Sequence, residues 1–134
     1  MKKKSLSAKK IIHRKILTHL NNKRIFHSYN LFKKNLKKLS NYIKFSGAIS
    51  GGPDSMALAF FLKCYEIEQR KKVYFYHIDH GLRESSKFEA TKLKKKLKFF
   101  GINLKIIRWY KKKFKPGNLQ SNARSNRYRL LFQQ

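Results

Sequence analysis

Acidic residues are nearly missing from this chain of 134: six Asp and Glu stand against 34 Lys and Arg, a formal net charge of +28. Cysteine is reduced to Cys64, proline to two residues and valine to one. Each shortage excludes something. A lone cysteine can form neither an internal disulfide nor a thiolate zinc site, which fits a reducing compartment. The longest apolar run, Met56 to Leu62, is far short of the roughly 20 residues that cross a bilayer, so no transmembrane helix is expected. The length supports about one domain. An apolar content of 41% is too high for a wholly disordered basic tail.

The charge is unevenly placed. Residues 1–44 carry 14 basic and no acidic residues, residues 45–90 carry six of each, and residues 91–134 carry 14 basic and none acidic. All the acids (Asp54, Glu66, Glu68, Asp79, Glu84, Glu89) therefore fall in a neutral middle. An excess of this size implies a polyanionic partner, nucleic acid first and an anionic membrane surface second. A second reading is codon drift in an A+T-rich genome: Lys outnumbers Arg 26 to 8 and Ile outnumbers Val 11 to 1. Drift alone leaves the neutral middle unexplained.

Met1 to about Asn22 is basic, with Ile12, Ile16 and Leu20 at helical spacing. An organelle targeting peptide has this look, but a solvated basic helix or a disordered arm is the expectation. A helix is expected over 28–40, where Phe32, Leu36, Leu39 and Ile43 share a face opposite Lys33, Lys34, Lys37 and Lys38. A short buried strand runs from Ile43 to Ile49, then the break Ser50-Gly51-Gly52-Pro53-Asp54-Ser55. Met56 to Tyr65 is apolar almost all round, as in a helix covered on both sides. Val73–Ile78 reads as a second strand, ended by Asp79-His80-Gly81. Ser86-x-x-Glu89 has the form of a capping box. The helix it opens buries Ala90, Leu93, Leu97 and Phe100, wets five lysines and closes at Gly101. A third strand is expected over 102–109, then a basic loop and a last helix over 119–132. Alternating strands and helices predict an α/β fold, a parallel sheet with right-handed crossovers and helices on both faces. Ligands of such sheets bind beyond the C-terminal strand ends, where both glycine-containing breaks fall.

Two glycines after a buried strand let the backbone turn and aim N–H groups at a ligand. The following helix adds the positive end of its dipole, and the Ser50 and Ser55 hydroxyls add donors, so residues 50–55 suit phosphate. Asp54 could cap the helix or help hold Mg²⁺. A plain strand-to-helix turn fits equally well. Neither the Walker loop nor the dinucleotide glycine pattern is present. The second segment, His77 to Ser86, places Asp79, His80 and Arg83 at the next strand end. There they could meet a nucleotide, or form a polar loop in which Asp79 caps a turn and Arg83 pairs with Glu84 or Glu89.

The loop resembles the Ser-Gly-Gly-x-Asp-Ser signature of the PP-loop ATP pyrophosphatases. Ala48 to Leu58, followed by Asp79-His80-Gly81-Leu82-Arg83-x-Ser85 and by Gly117-Asn118-Leu119-Gln120 with Ala123-Arg124-x-x-Arg127-Tyr128, is similar to the tRNA(Ile)-lysidine synthetase family. That resemblance, over about 45–132, implies a Rossmann-like PP-loop domain over 43–134, incomplete, with a basic helical extension over 1–42. It implies a ligase that cleaves ATP to AMP and diphosphate, adenylates the wobble cytidine of an isoleucine tRNA and joins free lysine to its C2. It implies that Ser50, Gly51, Gly52, Pro53, Asp54, Ser55, Ile78 and Asp79 hold ATP, that Asp54 meets Mg²⁺, and that Asp54, His80, Arg83, Arg124 and Arg127 serve catalysis. The arginine pair could instead be a basic surface stripe. The family pattern continues beyond the last residue here, which implies a truncated, split or decayed gene, with a separately encoded C-terminal half as one outcome. A bacterial cytoplasm or an organelle interior is expected, with no membrane partner. Another PP-loop tRNA-modifying enzyme and an inactive basic RNA-binding remnant are the competing readings; the lone Cys64 argues against sulfur relay.

Overall fold

The structure is a computed structural model that describes residues 7–38, 44–81, 83–108 and 129. Three parallel strands, β1 (Lys44–Ala48), β2 (Lys72–Asp79) and β3 (Leu104–Arg108), lie in the order β1-β2-β3. Phe45 is in register with Val73 and Gly47 with Phe75, while Phe75 pairs with Leu104 and Asp79 with Arg108. Helix α3 (Pro53–Gln69) joins β1 to β2, and α4 (Ser86–Phe99) joins β2 to β3. Two right-handed crossovers stepping the same way put both helices on one side of the sheet. Phe45, Val73, Phe75 and Leu104 on that side join one core with Leu62 and Tyr65 of α3 and Leu97 of α4. The expected parallel α/β sheet is present, and among the described residues its helices cover one face.

Helix α3 is apolar all round because it is sandwiched. Leu62 and Tyr65 face the sheet, the latter edge-on to the Phe45 ring. The other side meets α1 (Ala8–Thr18) and α2 (Lys23–Lys37). Here the expectation of a solvated helix or disordered arm is corrected. Ile16 and Leu20 are buried in the shared core, with Ile12 and Leu17 packed against it. Three apolar residues of α1, with Leu20 just beyond it, suffice because they cover only a ridge of α3 and the turn at Gly101. Helix α2 starts five residues before the expected position, since Asn22 caps it by accepting from the Arg24 and Ile25 N–H groups at 3.0 and 3.3 Å. Its most buried residue is Tyr29, whose ring packs against Phe32 and Phe61.

Helix α4 departs from its reading at both ends. Ser86 is its first residue and Ser85 its N-cap, and the Ser85 hydroxyl donates to the Glu89 carboxylate at 2.7 Å and accepts from no backbone N–H of the first turn. The expected capping box is therefore not formed. At the C-terminus Gly101 (φ 64°) donates to the Lys98 carbonyl at 2.9 Å, and the Ile102 N–H to that of Leu97 at 3.1 Å. That is the Schellman arrangement, stapled by buried Leu97 and Ile102. Ile102 thus belongs to the cap and β3 begins two residues later. Phe100, expected in the buried stripe, is exposed. Trp109, the expected loop and, apart from Arg129, the expected last helix lie outside the described residues.

Candidate functional site

The sequence places both strand-end loops where the sheet opens. A cleft of about 730 Å³ lies there, lined by Ser50 and Gly51 from the first loop, Tyr76 to Gly81 and Arg83 from the second, and Glu89, Lys92, Leu93 and Lys96 from α4. That volume suits a nucleotide-sized ligand.

The first loop is tied by one hydroxyl. The Ser55 Oγ accepts from the Gly51 N–H at 3.0 Å and from the Ser50 Oγ at 3.0 Å, and donates to the Gly52 carbonyl at 2.9 Å. With one hydrogen and two lone pairs, its capacity is filled. Ser55 in this arrangement shapes the loop, and the groups left to meet a ligand are backbone N–H groups. Gly51 sits at φ 97°, a conformation side chains rarely adopt, and a Cβ there would approach Leu93 at 3.3 Å. Gly52 is different. Its backbone is ordinary (φ −75°), and a Cβ would find nothing nearer than the Ser50 Oγ at 3.9 Å. Neither strain nor crowding requires glycine there, so what it preserves is open space above the α3 N-terminus.

Gly52 is the α3 N-cap, and no side chain caps that end. Pro53 removes one N–H where it would lack a partner. The remaining first-turn donors and the dipole face outward, as a phosphate site requires. Asp54, in the first turn, is exposed and does not cap the helix. Of its two expected jobs, capping is excluded. Among the described residues no three His, Cys, Asp or Glu side chains converge as metal ligands. A Mg²⁺ here would need most of its shell from phosphates and water, the usual arrangement for that ion.

In the second loop the Asp79 carboxylate accepts from the Gly81 N–H at 3.0 Å. Burial pushes this carboxyl up, but hydrogen bonds from Gly81 and Ser86 and the charges of His77 and Arg108 outweigh it and hold Asp79 below its ordinary value. Asp79 is thus ionised and turn-forming, while Ile78 and His80 line the cleft beside it. Arg83, also lining, is exposed and belongs to neither ion pair among the described residues. The alternative in which it pairs with Glu84 or Glu89 is excluded. Arg124 and Arg127 lie outside the described residues.

Sequence reasoning missed two contributions. The His77 Nδ1–H donates to the Ile49 carbonyl at 2.7 Å, fastening the first loop's entry to the second strand. Lys92, Leu93 and Lys96 reach the cleft from α4. On sequence, the lysines read as a wet helix face, and only the β2–α4 crossover brings them to the loop.

A family model described as the PP-loop domain matches residues 21–134, a span beginning just before α2. A tRNA(Ile)-lysidine synthase of Bartonella henselae is 37% identical over 105 residues, 75% of this chain and 21% of that protein. One from Lactobacillus gasseri is 35% identical over 102 residues, 76% of this chain and 23% of that protein. One from Orientia tsutsugamushi is 33% identical over 88 residues, 66% and 20% respectively. The chain spans between a fifth and a quarter of the length of these relatives.

Proposed function

Because this chain belongs to the PP-loop family of ATP-binding domains, we propose that it supplies the ATP-binding part of a tRNA(Ile)-lysidine synthase reaction. ATP would provide an adenylyl group for the C2 oxygen of the wobble cytidine, diphosphate leaving, after which the amine of free lysine displaces AMP. The observation that carries the ATP half is the uncapped α3 N-terminus beneath a glycine that neither strain nor packing requires. The names and identities of the relatives support the tRNA half.

The residues then have assignable work. Backbone N–H groups of Gly52, Asp54 and Ser55 hold the phosphates, with Gly51, Pro53 and the Ser50 and Ser55 hydroxyls fixing the loop around them. Asp54, exposed beside the phosphates, shares a Mg²⁺ that they bring. Ile78 borders the base, and Asp79 keeps the second loop closed on Gly81. His80 and Arg83, with Arg124 and Arg127, answer charge at the reacting phosphate. Residues 43–134 form the ATP-binding unit, and the 1–42 extension braces its central helix. Isoleucine tRNA and free lysine are the substrates. Among the described residues no helix is long and apolar enough to cross a membrane; a bacterial cytoplasm or an organelle interior suits this reading.

The test is ATP·Mg²⁺ binding by calorimetry with Gly52→Asp. A carboxylate in that space should weaken binding about a hundredfold, about 2.8 kcal/mol, with the melting temperature unchanged because the backbone there is ordinary. Undiminished ATP affinity in the variant would overturn the site.

A further inference from the structure

Helix α4 carries a feature that ATP binding does not use. Phe88 and Phe99 are 72% and 81% exposed. Eleven residues apart, they fall about three turns and 16 Å along the same face. Exposed Lys92 and Lys95 lie between them on that face, opposite buried Ala90 and Leu97. The stripe is therefore aromatic, lysine, lysine, aromatic. Among the described residues neither phenylalanine pairs with another ring, and the lysines that sit over aromatic rings do so elsewhere. One edge of the stripe, at Lys92 and Lys96, is the wall of the cleft.

We propose that the outward face of α4, from Phe88 through Lys92 and Lys95 to Phe99, docks an unpaired loop of the RNA substrate and leads it to the nucleotide cleft. This deepens, and rests on, the reading that the substrate is a tRNA. Two flat rings separated by cations match a single strand, whose bases stack and whose phosphates need neutralising. A duplex hides its base faces and would leave the rings wet. A protein partner would have to desolvate the lysines, a residue depleted from protein interfaces. Continuity with the cleft gives the surface its direction: a loop lying along it passes beside the phosphate-binding end of α3.

The test measures binding of the full chain to a hairpin RNA with an unpaired loop and to a blunt duplex of equal phosphate number, alongside ATP binding. The wild type should prefer the hairpin. Phe88→Ala with Phe99→Ala should weaken hairpin binding at least about tenfold and erase the preference, leaving ATP affinity and melting temperature unchanged, whereas Phe88→Trp with Phe99→Trp should keep it. Lys92→Gln and Lys95→Gln should each lower the slope of log affinity against log salt by about 0.7. If the alanine pair binds the hairpin like the wild type, the α4 surface is wrong and the tRNA reading stands. If the wild type binds ATP but no hairpin RNA, the tRNA reading and the surface fall together.

Discussion

The two ends of α3 are built to opposite purposes. At its C-terminal end the acids are engaged. Glu66 pairs with buried Lys63 and accepts from the Val73 N–H at 3.4 Å, and Glu68 accepts from the Tyr29 hydroxyl at 2.8 Å and pairs with Lys33 at 3.2 Å. Two carboxylates near a helix C-terminus oppose the dipole, and the last turn of α3 holds no basic residue. Lysines 33 and 63 and Tyr29 compensate. At the N-terminal end Asp54 in the first turn is the one acidic residue near the dipole, and no side chain caps Gly52. The neutral middle therefore keeps most of its acids for the fold. Glu66, Glu68 and Glu89 serve the fold and Asp79 serves a turn; of the two acids that remain, Asp54 and Glu84, Asp54 stands in the first turn of α3 beside the phosphate loop.

The contrast makes the ends separable. The largest effect is expected at the closed end, where Tyr29→Ala removes a fully buried ring. It should cost about 3–5 kcal/mol in denaturant unfolding, and at temperatures where the variant stays folded it should bind ATP normally. Impaired nucleotide binding in the folded variant would show that the ends are coupled. At the open end, Gly51→Val forces a side chain into φ 97° against Leu93. About 2 kcal/mol of stability should be lost, together with ATP binding; retention of ATP binding would break the distinction.

Asp79 gives a pH-dependent version. Its folded value lies below the ordinary one, so the stability it contributes is complete above about pH 4, the ordinary carboxylate value. That contribution is lost as pH falls through the lowered folded value. Asp79→Asn should cost about 1 kcal/mol at pH 7 and flatten the acid limb of a pH–stability curve; an unchanged limb would contradict the assignment. The smallest effect is at Arg70, the α3 C-cap at φ 53°. Arg70→Gly should stabilise by about 0.5–1 kcal/mol in thermal melts without altering ATP affinity.

Much of this was legible in sequence where one local rule governs. Met56 to Tyr65 reads as a helix covered on both sides, and it is. Gly101 reads as a helix stop and takes the left-handed backbone a Schellman cap needs. Where tertiary context decides, the reading slips. The apolar stripe of α1 is too sparse to announce burial, and packing on α3 supplies it. The serine pair 85–86 offers two equally good caps, and the chain uses the first for a side-chain contact with Glu89. The phosphate loop declares itself through glycines, but nothing local reveals that His77 holds Ile49 or that α4 forms the cleft wall.

The Ser55 hydroxyl, with its single hydrogen committed to Gly52, has a kinetic consequence. A loop tied by its own side chains has its ordering entropy settled at folding, so little of it remains to be lost when a ligand is captured. Arrival of the nucleotide should then be governed by encounter and dissociation by contact strength. Ser55→Ala would loosen the loop and slow productive capture while leaving the glycines in place.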